Sequence, residues 1–470
     1  LAIEIALIRP GPIQGGAVHP YIRRATGKEE VTYPHPILKP VLERTQGVPL
    51  FQEQLMQMAI AIGDCTGDEA DLLRRAMGSK RGIERIESLR DKLFAGMARH
   101  GLNEEESDAI YLKIQSFANF GFAESHALSF ALLVYASSWL KLHYPGAFLA
   151  ALLRNQPMGF YSPQSLVTDA RRHGVTVLRP DIMHSGAVAD LELGSSGPLG
   201  QDACLERLQA PVEKFVRGTP DPTPEHRRDG AFAVRLGLDE VQGIGSEVAE
   251  HIVAVRSERP FVDMADVARR AELTIAQMES LATAGAFDAF GISRRQALWN
   301  AGYAERTDQL EGTSVTLPPP TLPGMSDVEL TMADLWATRI SPETHPIEHL
   351  RSLLESEGIY SVTGLAAAES GRRVKVAGLI THRQRPATAV GVTFLSLEDE
   401  TGMLNIVCSE ALWRRYRRVG RNAAGMVIRG TLERFDGVTN LVADKLERIE
   451  AVYPQAASAI PAKHQGRNFR

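Results

Sequence analysis

Apolar positions recur at helical spacing through the first third of the chain. Between residues 36 and 144 they fall three or four apart, as at Leu89, Leu93 and Met97. This spacing puts apolar side chains on one face of a helix, where they can pack against a core. The pattern predicts an α-rich block at the start of the chain.

Two helices are predicted to meet near Gly121. Asn103 can accept a backbone N–H at a helix start, and the acidic residues after it complement the helix dipole, so a helix should run to about Phe117. Gly121 then allows a break, Ser125 can cap the next helix, and Pro145 should stop it. Its apolar run is shorter than the ~20 residues that a bilayer requires, so we expect a buried helix.

The helical pattern then fades and returns. Between about residues 186 and 229, scattered Gly, Pro and Ser predict a loop or flexible insert. A short strand at 232–236 and helical patterns from 246 and over 273–289 follow it. A proline run after residue 312 favours an extended linker, so a domain boundary is predicted there.

After a further helical stretch through Leu354, the period of the apolar positions becomes two. Short alternating runs, with Gly402 and Gly437 at turns between them, predict a small antiparallel β-barrel. Between residues 372 and 434, twelve Lys and Arg face five Asp and Glu, which leaves a local charge of 12 − 5 = +7. The barrel is therefore predicted to be strongly basic.

Composition restricts the class of protein. A length of 470 residues suggests about three domains, and 44% hydrophobic and 23% charged residues fit a globular chain. The net charge of −5 does not by itself indicate nucleic acid or an anionic membrane, so such a partner would need a local patch. Three widely separated cysteines argue against a disulfide framework or a cysteine-rich zinc site and favour a reducing cytosol. We see no signal peptide.

A glycine pair precedes one of the predicted helices. Gly243 and Gly245 lie on either side of Ile244, and Ser246 opens the helix. Backbone N–H groups at such a helix start can meet a phosphate oxygen of DNA without reading bases. An ordinary glycine turn between packed helices is the alternative. A second, similar segment has only Gly285, so it is predicted to pack rather than bind.

The basic barrel resembles an oligonucleotide-binding (OB) fold, in which a basic groove follows the backbone and aromatic side chains stack on bases. The alternative is a solvated basic face on a structural barrel, because the arginine-rich run near residue 415 can be the polar side of a helix. The candidate DNA-binding residues of the barrel are Arg383, Arg385, Arg414, Arg415 and Phe394.

Two further groups could carry chemistry. Arg74, Arg75 and Lys80 lie close together and suit a polyanion such as a triphosphate, although an arginine-rich helix surface is often merely solvated. His126, beside Glu124, could move a proton, although such a histidine more often caps or packs. Nucleophile-elbow and P-loop motifs are absent from the sequence, which argues against hydrolase and P-loop NTPase activity.

Several long motifs, in order, resemble those of the bacterial C-family DNA polymerases, the polymerase III α subunit family. They are IRPGPIQGGAVHPYIRR, GVPLFQEQLMQMA, DLLRRAMGSK, GFAESHALSFALLVYASSWLKLHYPGAFLAALL and LRPDI. The chain is most similar to the error-prone branch. Ala123-Glu124 replaces the usual Asn-Lys, an extended insert precedes the glycine pair, and Arg470 follows soon after the barrel.

The resemblance implies a multidomain, mainly α chain with polymerase fingers, tandem helix-hairpin-helix motifs and a small C-terminal β-barrel of the OB fold. The expected segments are a fingers region at 1–186, a loop-rich insert at 187–230, a tandem helix-hairpin-helix domain at 231–300, a Pro-rich linker at 301–330, a helical connector at 331–370, an OB-fold domain at 371–450 and a basic tail at 451–470.

The function implied is that of the C-terminal portion of an error-prone DNA-directed DNA polymerase, a nucleotidyltransferase in damage-associated translesion synthesis. Palm aspartates of this family hold two Mg²⁺ ions. They are expected upstream of the IRPGPI motif, so this chain is expected to hold no catalytic residue or metal site and to be inactive alone. A noncatalytic DNA-binding scaffold and the replicative α subunit are the alternatives.

The resemblance also implies site residues and partners. The expected partners are template-primer DNA, single-stranded template, dNTPs and accessory translesion proteins. Because the linker lacks a convincing clamp-binding motif, the sliding clamp is expected to be reached only indirectly. The expected location is the bacterial cytoplasm, at the nucleoid, with no membrane. The nucleotide-binding positions implied are Arg9, Arg74, Arg75, Lys80, Gln52, Gln54 and His126.

Overall fold

The computed structural model describes residues 1–7, 18–76, 82–116, 122–159, 161–194, 228–302, 320–386, 391–435, 438–460 and 467–469. Arg9, Lys80 and Gly437 lie outside these ranges, as do most of the predicted insert and the start of the predicted linker. The chain forms two compact units, Leu1–Trp139 and Leu140–Arg470, each with its own hydrophobic core.

The first unit is helical, as its apolar spacing predicts. Leu55, Met58 and Leu93 are completely buried where two of its helices pack together. The helices are α1 (Ala2–Leu7), α2 (Val18–Ala25), α3 (Lys39–Leu42), α4 (Gln52–Gly63), α5 (Gly67–Ala76), α6 (Gly82–Glu87), α7 (Arg90–Arg99), α8 (Glu104–Ser116) and α9 (Glu124–His143), the last of which continues into the second unit.

Helix α8 begins where its cap predicts. The Asn103 side chain accepts the Glu106 N–H at 2.9 Å, and the Glu106 carboxylate accepts the Asn103 N–H at 3.0 Å. Of the two following predictions, the cap is wrong and the stop is confirmed. Ser125 lies inside α9, which begins one residue earlier. Helix α9 ends at His143, just before Pro145, which opens α10 (Pro145–Arg154). Proline fits the first helical turn because its missing N–H would have no helical partner there.

The prediction that α9 is buried is also wrong. Ala127 is buried, but most of the apolar side chains after it are exposed, and Leu132 is 73% exposed. An apolar sequence shows that a helix needs cover, but it does not show which part of a protein provides that cover.

The second unit starts with a helix, α11 (Pro163–Arg172), and a three-stranded sheet. Strand β3 (Phe232–Arg235) lies in the middle, parallel to β1 (Val177–Leu178) and antiparallel to β2 (Asp190–Leu193). The strand predicted near residue 232 is confirmed. The start of the predicted insert, however, contains the ordered strand β2.

Within the described ranges, five helices follow the sheet and share one core. Ile244, Ile252 and Leu281 are buried in it, together with Phe287. These helices are α12 (Ser246–Glu258), α13 (Met264–Arg270), α14 (Ile275–Ala284), α15 (Arg294–Ala301) and α16 (Asp327–Ala337).

A buried carboxylate joins the sheet to these helices. Asp334 of α16 accepts a hydrogen bond from Arg294 Nη2 at 2.6 Å and from Arg179 Nε at 3.2 Å. Arg179 comes directly after β1, and it also binds the Glu343 carboxylate at 2.6 Å. Because Asp334 and Arg294 are both almost completely buried, neither charge has water as an alternative partner.

The C-terminal part forms a closed five-stranded barrel, which confirms the predicted OB-like fold. The strands are β4 (Arg373–Gln384), β5 (Thr393–Glu398), β6 (Met403–Cys408), β7 (Gly425–Phe435) and β8 (Val438–Arg448), in the order β5-β6-β8-β7-β4, and β4 closes on β5. The pairing of β6 with β8 is parallel, so the predicted all-antiparallel pattern is incomplete.

Short elements surround the barrel. Helix α17 (Arg351–Ser356) precedes it, α18 (Glu410–Arg415) and α19 (Arg417–Asn422) connect β6 to β7, and α20 (Ile449–Val452) follows β8. Strand β9 (Arg467–Phe469) pairs in parallel with the end of β4. Trp413 of α18 is buried in the barrel core, so this helix closes one end of the barrel.

The turn between β5 and β6 fixes the barrel to the helices. The buried Asp399 carboxylate accepts the N–H groups of Val362 at 2.7 Å and Gly402 at 2.9 Å, and Arg351 of α17 at 3.2 Å. Arg172 of α11 donates to the Asp399 carbonyl at 2.8 Å and lies 3.3 Å from the Glu398 carboxylate.

We expect Asp334→Asn to destabilise the protein by about 3 kcal/mol or more, because removing one partner of a buried ion pair leaves charge unpaired. Two arginines lose their carboxylate in this variant. Chemical unfolding followed by circular dichroism measures the change. Asp327→Asn, at an exposed position of the same helix, should cost less than about 1 kcal/mol. Equal losses for both variants would contradict the role of Asp334.

Burial raises the pKa of Glu398 to about 7, although the nearby Arg172 guanidinium acts to lower it. The folded state therefore retains this proton where the unfolded chain has lost it, so stability should fall as pH rises through 7. Relative to Glu398→Gln, the parent should lose roughly 3 kcal/mol of unfolding free energy between pH 5 and pH 8. Urea titrations at several pH values measure this difference. For the exposed control Glu433→Gln, the difference in unfolding free energy from the parent should not change with pH. If the difference for Glu398→Gln is also independent of pH, the raised pKa of Glu398 is disproved.

Candidate nucleic-acid interface

The glycine pair forms a tight turn at the start of α12. The Ile244 N–H donates to the Val241 carbonyl at 2.9 Å, and both side chains are buried. The Gln242 N–H donates to the Ala337 carbonyl at 2.7 Å, which fixes the turn on the end of α16. Gly243 has φ +84°, a conformation that side chains rarely adopt, so a glycine is needed there.

The outer side of this turn is open. Gly245 is the N-cap of α12, and it supplies no side-chain cap to the first helical N–H groups. A Cβ atom on Gly245 would meet nothing within 4 Å, and Ser246 is exposed. Unpaired N–H groups at a helix start carry the positive end of the helix dipole, so this surface can accept a phosphate oxygen.

Acidic side chains lie near this site. Glu247 is exposed in the first turn of α12, and burial, together with the Asp239 carboxylate, raises the pKa of Glu240 to about 7. Since these acidic groups do not attract phosphate, the backbone N–H groups of the turn are the candidate donors to it.

The second, related segment packs internally, as predicted. Gly285 ends α14 with φ +76°, and a Cβ atom there would lie 2.9 Å from Arg294 Nε. Arg294 is the buried partner of Asp334, and it also donates to the Thr283 carbonyl at 3.2 Å. The glycine therefore makes room for a structural arginine.

The barrel has an open outer face on strands β5 and β6. Inward-pointing residues such as Leu395 and Ile406 are buried, and the alternate positions point outward. On that outer face Phe394 pairs with Val407, and the exposed Asn405 lies beside Asn440 of β8. The corresponding strands of OB folds bind single-stranded nucleic acid.

Two connections border this face. Arg385 is exposed after β4, on the approach to β5, and Phe435 is 79% exposed at the end of β7, with Val438 exposed across the turn. Asn405 was not among the predicted site residues, although its outward position follows from strand alternation. Phe435 is one of the aromatic residues that the sequence offers for stacking, and it precedes an Asp-Gly pair.

The predicted arginines of the barrel separate into two groups. Arg383 is buried, and its guanidinium donates to the carbonyls of Gly420 at 2.7 Å and Ala423 at 2.6 Å, so it holds the barrel together. This corrects its assignment to DNA binding. Arg414 and Arg415 are exposed on α18, where Arg414 pairs with Glu410 at 2.7 Å.

In the first unit, the structure joins the starts of α4 and α9. The Gln52 N–H donates to the Phe122 carbonyl at 3.0 Å, and the Glu53 carboxylate accepts the Glu124 N–H at 3.0 Å. His126 is exposed, with its ring edge-on to Phe122 and Phe130 at centroid distances of 5.2 and 4.5 Å. Gln52 and His126 thus lie on neighbouring helix ends.

Gln54 has a structural role. Its buried side chain accepts the N–H groups of Leu50 at 3.0 Å and Phe51 at 3.1 Å, and it donates to the Thr45 hydroxyl at 2.8 Å and the Val41 carbonyl at 3.1 Å. All of its hydrogen-bonding capacity is used inside the protein. This corrects its assignment to nucleotide binding.

Arg74 and Arg75 are exposed near the end of α5. Both donate to the Asp71 carboxylate, at 2.7 and 2.6 Å. The two arginines hold the pKa of Asp71 below its usual range. Since one carboxylate faces two guanidinium groups, the cluster keeps a net positive charge.

The described residues do not form a metal centre. Within those ranges, three or more His, Cys, Asp or Glu side chains do not gather in a way that could hold a metal ion. The buried carboxylates Asp334 and Asp399 are instead bound by arginine and backbone N–H groups. Nor is any helix of the described ranges long and apolar enough to cross a membrane.

Comparisons with protein families match two segments of the chain. Residues 1–101 match the family described as the bacterial DNA polymerase III alpha subunit finger domain. Residues 174–297 match the helix-hairpin-helix motif, and this range contains the Gly243 turn.

Curated relatives match nearly the whole chain. A protein of Cutibacterium acnes named error-prone DNA polymerase is 55% identical over 97% of this chain and 41% of its own length. One of Nocardia farcinica with the same name is 52% identical over 95% of this chain and 37% of its own. The chain thus spans about two fifths of the length of these relatives, in their C-terminal part.

A solved structure of asparaginyl-tRNA synthetase from Pyrococcus horikoshii also aligns with part of the chain. It covers 20% of this chain and 23% of its own at a TM-score of 0.17 and 20% identity, a likeness too slight to bear on function.

Proposed function

This chain belongs to the bacterial C-family DNA polymerases, as the C-terminal part of a member similar to the error-prone enzymes, and on that premise we propose that it holds template-primer DNA during translesion synthesis. The supporting observation is that an uncapped helix-hairpin-helix turn and an open OB-like face occur in one compact unit. The hairpin binds phosphates of the duplex, and the barrel binds the single-stranded template.

The division of labour follows from the chemistry of each surface. Backbone N–H groups at Gly245 and Ser246 offer hydrogen bonds to any phosphate and read no base, which suits a sliding duplex. The barrel face offers Phe394 and Phe435 for stacking on unpaired bases, with Arg385, Arg414 and Arg415 as the exposed positive charges. Both surfaces tolerate any sequence, as a polymerase requires.

The first unit is proposed to help bind the incoming dNTP. Arg74 and Arg75 supply the positive charge for a triphosphate, and they share a single acidic partner. Gln52 and His126 lie at the joined ends of α4 and α9, where they can line the same region. Arg9 and Lys80, which lie outside the described residues, complete the proposed set by family resemblance.

The chemical step is proposed to depend on residues outside this chain. Nucleotidyl transfer in this family uses Mg²⁺ held by aspartates, and the described carboxylates do not provide such a site. The chain alone is therefore proposed to bind DNA without extending a primer. Accessory translesion proteins, an indirect link to the sliding clamp, and a cytoplasmic location at the nucleoid also belong to this proposal.

Gly245→Asp tests the hairpin. An Asp at this position caps α12 and so should preserve or raise thermal stability, but its carboxylate covers the N–H groups and repels phosphate. We expect duplex affinity, measured by fluorescence anisotropy, to fall roughly tenfold for every sequence tested. Gly245→Ala is the matched control, because its methyl group meets open space and leaves the N–H groups free.

The same titrations test the division of labour. Phe435→Ala should weaken single-stranded binding roughly tenfold and leave duplex affinity unchanged, because it removes one stacking platform. Unchanged duplex affinity for Gly245→Asp would remove the hairpin from the interface. Equal losses of Phe435→Ala on both kinds of DNA would contradict the assignment of the barrel to single strands.

A further inference from the structure

Helix α9 carries an unusually apolar surface. Between Glu124 and Lys141 its sequence contains no Asp, Glu, Lys or Arg. Its N-terminal end is held by the Arg44–Glu124 ion pair at 2.6 Å and by the buried Ala127. Beyond that anchor, the exposed apolar side chains of the first unit's part of the helix are Leu128, Phe130, Leu132, Leu133, Val134, Tyr135 and Trp139.

These side chains surround the helix. Leu128, Leu132 and Tyr135 follow one another at intervals of four and three, so they form one stripe. Phe130, Leu133 and Val134 fall on the opposite side at the angles of an α-helix. A helix that is apolar on all sides is normally buried on all sides, so this one requires cover from more than one direction.

We propose that α9 inserts into an apolar cleft of the polymerase segment that precedes this chain in its relatives. That segment is large enough, because the relatives extend well beyond the two fifths that this chain spans, and the match lies in their C-terminal part. The surface also lies in the same unit as the residues that match the polymerase finger domain. The inference rests on this family correspondence and is independent of DNA binding.

A second copy of the chain explains the surface less well. Two copies related by a twofold axis would pack one stripe of each helix against the other and leave the opposite stripe exposed. A cleft in a larger domain can cover both. The proposed occupant is therefore the preceding part of the polymerase.

Binding in trans tests the proposal directly. The 470-residue chain is mixed with the remaining N-terminal part of the Cutibacterium acnes relative, and complex formation is measured by sedimentation velocity and isothermal titration calorimetry. We expect a 1:1 complex that Leu132→Glu weakens at least roughly tenfold, because it places a charge inside an apolar contact. Leu193→Glu is the matched control, since Leu193 is 73% exposed, as Leu132 is, but lies in the second unit.

A covalent label keeps the test decisive if the separate fragment does not fold. The same N-terminal part is fused directly to residue 1, and Leu132→Cys is introduced in a Cys204→Ser background, where Cys65 and Cys408 are buried. Maleimide should label position 132 rapidly in the 470-residue chain and at least roughly tenfold more slowly in the fusion. Leu193→Cys should react equally in both.

Several results would overturn the proposal. One is an equal rate of labelling at position 132 in the 470-residue chain and in the fusion. Another is equal affinity of Leu132→Glu and the parent for the N-terminal part of the relative. The third is a homodimer of the chain that Leu132→Glu dissociates. DNA affinity of the same variants, measured in parallel, separates this proposal from the proposed function, because Leu132 lies outside the hairpin and the barrel.

Discussion

A single buried carboxylate determines where the hairpin lies. Asp334 binds both Arg294 and Arg179. Arg294 lies against Gly285 of the second glycine segment, and Arg179 directly follows strand β1 of the three-stranded sheet. The helix that carries Asp334 also ends at Ala337, whose carbonyl accepts the Gln242 N–H of the DNA-facing turn. Because a buried charge has no water to replace a lost partner, these contacts form together. The exposed backbone of the hairpin is thereby held by groups that are largely shielded from solvent.

The barrel is fixed by the same kind of interaction at a different place. Asp399 turns its carboxylate toward Arg351 and several backbone N–H groups, and Arg172 reaches the same turn from α11. These anchors lie at the β5–β6 turn, whereas the candidate stacking residue Phe394 lies near the opposite end of β5. On this strand, the structural charges and the candidate binding residue are thus separated.

The sequence predicted the element types well and the use of individual polar residues less well. Periodicity predicted the helical block and the barrel strands, because the spacing of apolar residues follows which face of an element is buried. The chemistry of the Asn103 side chain predicted the helix cap. It could not distinguish Arg383, which supports the barrel from inside, from the exposed Arg385 two residues later. Gln54 shows the same limit, since its partners come from the turn before its helix and from Val41. Such roles depend on contacts across the fold, which local patterns do not contain.

The most direct test of the account compares the affinity of the chain for three DNAs of equal length: a duplex, a single strand and a primed template with a single-stranded overhang. Anisotropy titrations over a range of salt concentrations provide these values. If hairpin and barrel act as one platform, the primed template binds most tightly, since two surfaces engage at once. The affinities for the single strand and the primed template fall steeply with salt, because the exposed arginines of the barrel meet phosphates. Equal affinity for all three DNAs, or single-strand affinity that is insensitive to salt, would contradict the claim that this chain holds a template-primer junction.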